Sequence, residues 1–99
     1  MTASDLFVAL APVLEALRGL GVRHYVGGSI ASSAHGVPRA SIDADVVAGL
    51  APAHAPRFVA ALRESYYVSE ERVRDAIGRR ASFNVIHLET MVKVDVFVS

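Results

Sequence analysis

The sequence predicts a small α/β domain, on three observations. Apolar residues recur at helical spacing near the N-terminus, and they alternate with polar residues in later segments. Glycines and prolines punctuate the stretches between. A chain of 99 residues has the length of one domain, so residues 1 to 99 are read as a single unit.

The first element is an amphipathic helix over residues 4 to 20, with Leu6, Leu10, Val13, Leu14 and Leu17 on one stripe. Ser4 is placed to cap it, and Gly19 and Gly21 end it. Pro12 conflicts with an unbroken helix, because it lacks a backbone donor and crowds the preceding turn. A kink there, or a regular helix starting near Ala11, resolves the conflict. Residues 23 to 27 read as a short strand, Gly27-Gly28-Ser29 as a turn, and Ile30 to His35 as a brief helix closed by Gly36 and Val37-Pro38. Residues 42 to 48 form the next strand. Pro52 and Pro56 bracket a loop, and Pro56 opens a helix to about Glu64 with Phe58, Val59 and Leu62 as its buried stripe. Tyr66 to Val68 is a short strand. Ser69 caps a helix through Ile77, with Glu70 and Glu71 in its first turn and Gly78 as its stop. Strands over 81 to 88 and 91 to 98 follow, joined as a hairpin near Glu89-Thr90. The abrupt end after a strand suggests a missing C-terminal portion or a protein partner covering the C-terminal strand.

Composition narrows the classes of function. With 53% hydrophobic and 20% charged residues the chain is globular rather than disordered. Basic and acidic residues number 10 each, so no global field draws in nucleic acid and any such contact must be local. The absence of cysteine removes disulfide scaffolds, thiolate nucleophiles and Cys-based zinc sites. No apolar run is long enough to span a bilayer, and the N-terminal stretch lacks the basic flank of a secretory signal. A cytoplasmic location, without a membrane partner, is the expectation.

The chemistry lies in three acids. Strand alternation points Asp43 and Asp45 to one side and Ile42, Ala44 and Val46 to the other. Two like charges side by side on an apolar strand repel, and a magnesium ion with its preference for carboxylate oxygens relieves the conflict. In the last strand Val92, Val94, Val96 and Val98 line one face, and Lys93, Asp95 and Phe97 the other. If the two strands are neighbours, three carboxylates converge, and such a cluster can hold two metals about 4 Å apart. The competing reading is a solvated acid pair that blocks aggregation of an edge strand. Gly27-Gly28-Ser29 lets a phosphate approach the backbone at a helix N-terminus, although glycines also mark any tight corner between strand and helix.

Taken together, these features resemble the DNA polymerase β-like nucleotidyltransferase superfamily: a Gly-Gly-Ser turn, a short helix, Asp-x-Asp on a strand, then a lone Asp on a later strand. The run from Gly27 through His35-Gly36 and Arg39-Ala40-Ser41 to Asp43-Ala44-Asp45 is similar to the bacterial branch reading Gly-Gly, His-Gly, Arg-x-Thr-x-Asp-x-Asp. That branch includes nucleotidyltransferases of abortive-infection and toxin–antitoxin systems. Ser41 stands where the branch has Thr, and Ala44 where a branched residue is typical. Members continue well past the third acid. The resemblance implies a mixed β-sheet flanked by helices, with Gly28 and Ser29 on the phosphates of a nucleoside triphosphate. Asp43 and Asp45 would ligate both magnesium ions. Asp95 would complete the second site and help activate an acceptor hydroxyl on protein, RNA or a small molecule. The implied reaction is transfer of a nucleoside monophosphate to that hydroxyl. The alternative is a catalytically inactive module that binds nucleotide or a partner, such as a toxin–antitoxin component.

Other residues carry two readings each. Arg39 can contact the triphosphate or pair with an aspartate, and Lys93 can neutralise phosphate or partner Asp95. His35 reads as a helix cap, and His24, His54 and His87 show no metal-ligand spacing. Of Tyr66 and Tyr67, at least one belongs to the core. Arg72, Arg74, Arg79 and Arg80 read as a solvated face, or as a nucleic-acid acceptor site.

Overall fold

The structure is a computed structural model that describes residues 3 to 27 and 44 to 99. It is an α+β fold in which five strands form one mixed sheet packed against three α-helices among the described residues. In chain order these are α1 (Ala3–Gly19), β1 (His24–Val26), β2 (Ala44–Ala48), a 3-10 turn (Pro52–His54), α2 (Ala55–Leu62), β3 (Tyr66–Tyr67), α3 (Glu70–Arg79), β4 (Ser82–His87) and β5 (Lys93–Val98). The sheet order is β1-β2-β5-β4-β3. β2 and β5 run parallel, and every other pair is antiparallel.

Strict alternation makes the sheet two-sided. Ala44, Val46 and Ala48 of β2, Val94, Val96 and Val98 of β5, and Phe83, Val85 and His87 of β4 are all buried. The helices supply the opposing layer. Leu6, Leu10, Val13 and Leu17 of α1 recur every three to four residues, as do Phe58, Val59 and Leu62 of α2 and Val73, Ala76 and Ile77 of α3. Phe58 meets Phe83 edge to face with ring centroids 5.9 Å apart. Tyr66 is buried, donates its hydroxyl hydrogen to the Ala9 carbonyl and lies edge-on to His87. Burial pushes its hydroxyl pKa up to about 12. Tyr67 is exposed, as neighbouring strand residues on opposite faces must be.

The first helix forms as expected, and its regular part does not wait for Ala11: α1 continues through Pro12, which is exposed, where water can satisfy the carbonyl that a proline leaves without a donor. Two expectations change. α3 does not stop at Gly78: it reaches Arg79, and Arg80 takes the left-handed cap at φ 53° and ψ 45°, its N–H directed at the carbonyls of Ala76 and Ile77. The last strand has no uncovered edge, because β5 lies between β2 and β4. A partner on β5 would meet its face. The Ser69 cap holds as expected, its hydroxyl accepting from the Arg72 N–H at 3.3 Å.

The hairpin between β4 and β5 turns through Leu88 to Met91, closed by the Met91 N–H to the His87 carbonyl at 2.8 Å. His87 Nδ1 and Thr90 Oγ1 lie 2.9 Å apart and brace the loop, with Met91 left-handed at φ 62°.

The left-handed cap makes a stability prediction. A side chain in this conformation costs about 1–2 kcal/mol, while glycine adds back part of that as unfolded-chain entropy. Arg80→Gly is expected to raise unfolding stability by about 0.5–1 kcal/mol in urea titration, and a loss of stability would show that the Arg80 side chain holds something in place.

Candidate functional site

The face of the sheet away from the helices carries the candidate site residues that the structure describes, arranged in rows that cross the strands. Asp45 of β2 and Asp95 of β5 are register partners on adjacent parallel strands. Register partners share a face and stand one inter-strand spacing apart, about 4.8 Å. Asn84 of β4 extends the row beyond Asp95. Gly27 extends it on the other side, its N–H donating to the Asp45 carbonyl at 2.7 Å. Asp45 and Asp95 are each half-buried, turned from the core but not fully in solvent.

The edge-strand reading of Asp45 does not hold. β2 lies inside the sheet between β1 and β5, with hydrogen-bonded neighbours on both sides, so it has no edge to protect. Facing carboxylates on neighbouring strands are unfavourable by themselves. Their oxygens fit a hard divalent cation such as magnesium, which is commonly held by one or two carboxylates together with substrate phosphates. Among the described residues no group of three or more His, Cys, Asp or Glu side chains converges on a metal-sized space. Asp43, the third acid of the expected cluster, lies outside the described residues, as do Gly28, Ser29, Arg39 and His35.

Gly27 has a steric reason to be glycine. A Cβ built on it would stand 3.0 Å from the Cβ of Asp45, tighter than side chains tolerate without a shift. The missing side chain leaves Asp45 its rotamer. Gly49, at the far end of the same strand pair, is different, since its added Cβ would meet nothing closer than 3.7 Å. Gly27→Ala is therefore expected to cost about 1–2 kcal/mol by overpacking, with Gly49→Ala within about 0.5 kcal/mol of the parent, both read by thermal or urea unfolding. Equal effects at the two glycines would remove the special role of the Gly27 contact.

Lys93 lies two residues before Asp95 on the same face, half-buried and in register with Ile86. On the other side of the acid row runs an apolar one: Tyr25 pairs with Val47, Val47 with Phe97, and Phe97 with Ser82. Tyr25 is 64% exposed and Phe97 43%. Beside this row opens a groove of about 380 Å³ lined by Arg23, His24, Tyr25, Val47, Gly49 and Ser99. In the arginine cluster, Arg74 pairs with Glu70 at 2.9 Å and Arg79 with Asp75 at 3.2 Å, as expected of a solvated helix face.

Sequence reasoning places Asp95 and Phe97 on one face but overlooks Asn84 and Tyr25. Asn84 was legible as the polar residue between Phe83 and Val85. Tyr25 carried no such signal, because a three-residue strand does not say which strand it joins.

No family model matches the chain, and neither the curated proteins nor the solved structures contain a match to it. Among the described residues no helix is long and apolar enough to cross a membrane.

Proposed function

We propose that the chain is a metal-dependent nucleotidyltransferase, moving a nucleoside monophosphate from a nucleoside triphosphate to a hydroxyl acceptor. The observation that carries this reading is the registered pair Asp45 and Asp95 on the open face, with Gly27 packed against Asp45. The Gly-Gly-Ser turn and the Asp-x-Asp spacing support it from the sequence.

Bound magnesium would supply neutralisation of the charge that builds on the transferring phosphate. Asp45 and Asp95 would hold it, together with Asp43, which the Asp-x-Asp spacing of the sequence pairs with Asp45. Asp95 would also take the proton of the acceptor hydroxyl as its oxygen attacks the α-phosphorus. The bond from that phosphorus to the bridging oxygen breaks, and pyrophosphate leaves. The main chain of Gly27-Gly28 and the Ser29 hydroxyl would cradle the phosphates, with Arg39 and Lys93 offsetting their charge. Such a site works by positioning and charge compensation, since the reaction asks no covalent step of the protein. A cytoplasmic setting, where triphosphates and magnesium abound, belongs to the same proposal.

The test is calorimetric titration with manganese and each nucleoside triphosphate, followed by transfer of an α-labelled phosphate to RNA, protein and small-molecule acceptors. Metal-dependent binding and transfer, both lost in Asp45→Asn, are the expected result. Nucleotide binding that ignores both metal and the substitution would leave a non-catalytic nucleotide-binding module.

A further inference from the structure

We propose that the row Tyr25–Val47–Phe97, with the groove beside it, seats the acceptor, and that this acceptor is the terminal nucleoside of a single-stranded RNA. The inference rests on the transfer reading and names the acceptor class for that same site.

The geometry argues for a base. Three strands present Tyr25, Val47 and Phe97 in one line across the open face, the outer two being exposed aromatics. Two inter-strand spacings set the outer strands about 10 Å apart, a strip much smaller than a protein interface, which buries about 800 Å² per partner. Exposed aromatics on a sheet face are a stacking platform for unpaired bases. Ser82 ends the row beside Phe97, and Asn84 ends the next row beside Asp95, both able to hydrogen-bond a base edge.

Position relates the platform to the chemistry. Tyr25, Val47 and Phe97 lie two residues along their strands from Gly27, Asp45 and Asp95. That step is about 6.6 Å, so a base stacked on the aromatic row holds its own ribose over the acid row. The groove of about 380 Å³ shares Tyr25 and Val47 with the platform and adds Arg23 and Ser99, which can meet the phosphate of the preceding nucleotide. With zero formal net charge the chain has no global field, so binding rests on stacking and on the local charge of Arg23.

The experiment measures binding of a fluorescein-labelled ten-nucleotide single-stranded RNA to the full chain by anisotropy in EDTA. Without metal the acid pair is not used, so the readout isolates the platform. Tyr25→Ala and Phe97→Ala are expected to weaken binding about tenfold each, and Tyr25→Phe and Phe97→Tyr to retain it. Phe7→Ala, an aromatic on α1 about as exposed as Tyr25, is expected to leave it unchanged. Unchanged melting temperatures in all five variants establish that folding is intact. The inference is overturned if the RNA does not bind, if duplex RNA binds equally well, or if both alanine variants bind like the parent. It is also overturned if a free nucleoside triphosphate displaces the RNA in the parent and loses affinity with Tyr25→Ala, which would make the platform a donor site. A protein that protects Tyr25 and Phe97 while the RNA does not would assign the strip to a protein partner instead. Asp45→Asn separates the two proposals: RNA binding retained with no transfer by the parent refutes the enzyme reading alone, and transfer without aromatic-dependent binding refutes the platform alone.

Discussion

Asp45→Asn is expected to lower nucleotidyl transfer about a thousandfold, the order of effect seen when a charge-stabilising group is taken from a preorganised site. Asparagine keeps the shape of the side chain and its contact with Gly27 but removes the negative charge that faces Asp95. Metal and fold should therefore respond in opposite directions. In the parent, manganese at about a hundred times its dissociation constant should add about 2.7 kcal/mol of stability, and in the variant almost none. Without metal, the variant should equal or exceed the parent by about 0.2–1 kcal/mol, because carboxylates facing each other across strands repel. Thermal unfolding with and without manganese, beside the label-transfer assay, checks all three. A variant less stable without metal, paired with a parent indifferent to manganese, would make Asp45 a structural residue and end the metal proposal.

The second large effect is in the core. Phe58→Ala is expected to cost about 3–5 kcal/mol. The ring is fully buried in α2, edge-on to Phe83 of β4, where helix layer meets sheet. A domain of this size has about 5–15 kcal/mol in hand, so the melting temperature should fall by about 15 °C or more. Phe7, 61% exposed on α1, is the control, and Phe7→Ala should change stability by less than about 0.5 kcal/mol. Similar losses at both phenylalanines would mean that Phe7 is covered in solution, for instance by a second chain.

Both substitutions draw on information that the sequence carried unevenly. Periodicity made the layers legible: the stripe of α1, the Phe58–Val59–Leu62 face of α2 and the valine face of β5 all follow from side-chain direction within one element. The Ser69 cap was legible for the same reason, since a hydroxyl three residues before its backbone donor is a local device. The end of α3 was not. Gly78 is the expected stop, yet the hydrogen-bond pattern carries the helix to Arg79 and puts Arg80 in the left-handed position that glycine usually fills. Pro12 does not end α1, because it is exposed and water can replace the missing partner.

By itself, then, the sequence determined which residues share a face: Lys93, Asp95 and Phe97 on one side of their strand, the valines on the other. That follows from the two-residue period of extended backbone and needs no partner. Only the tertiary structure decided which faces meet. Strand order and register set Asp45 opposite Asp95, placed Tyr25 in line with Phe97 and put β5 in the middle of the sheet rather than at its edge. Those pairings join residues far apart in the chain, and they arise because the apolar faces of β2, β4 and β5 must be buried together beneath the same helices.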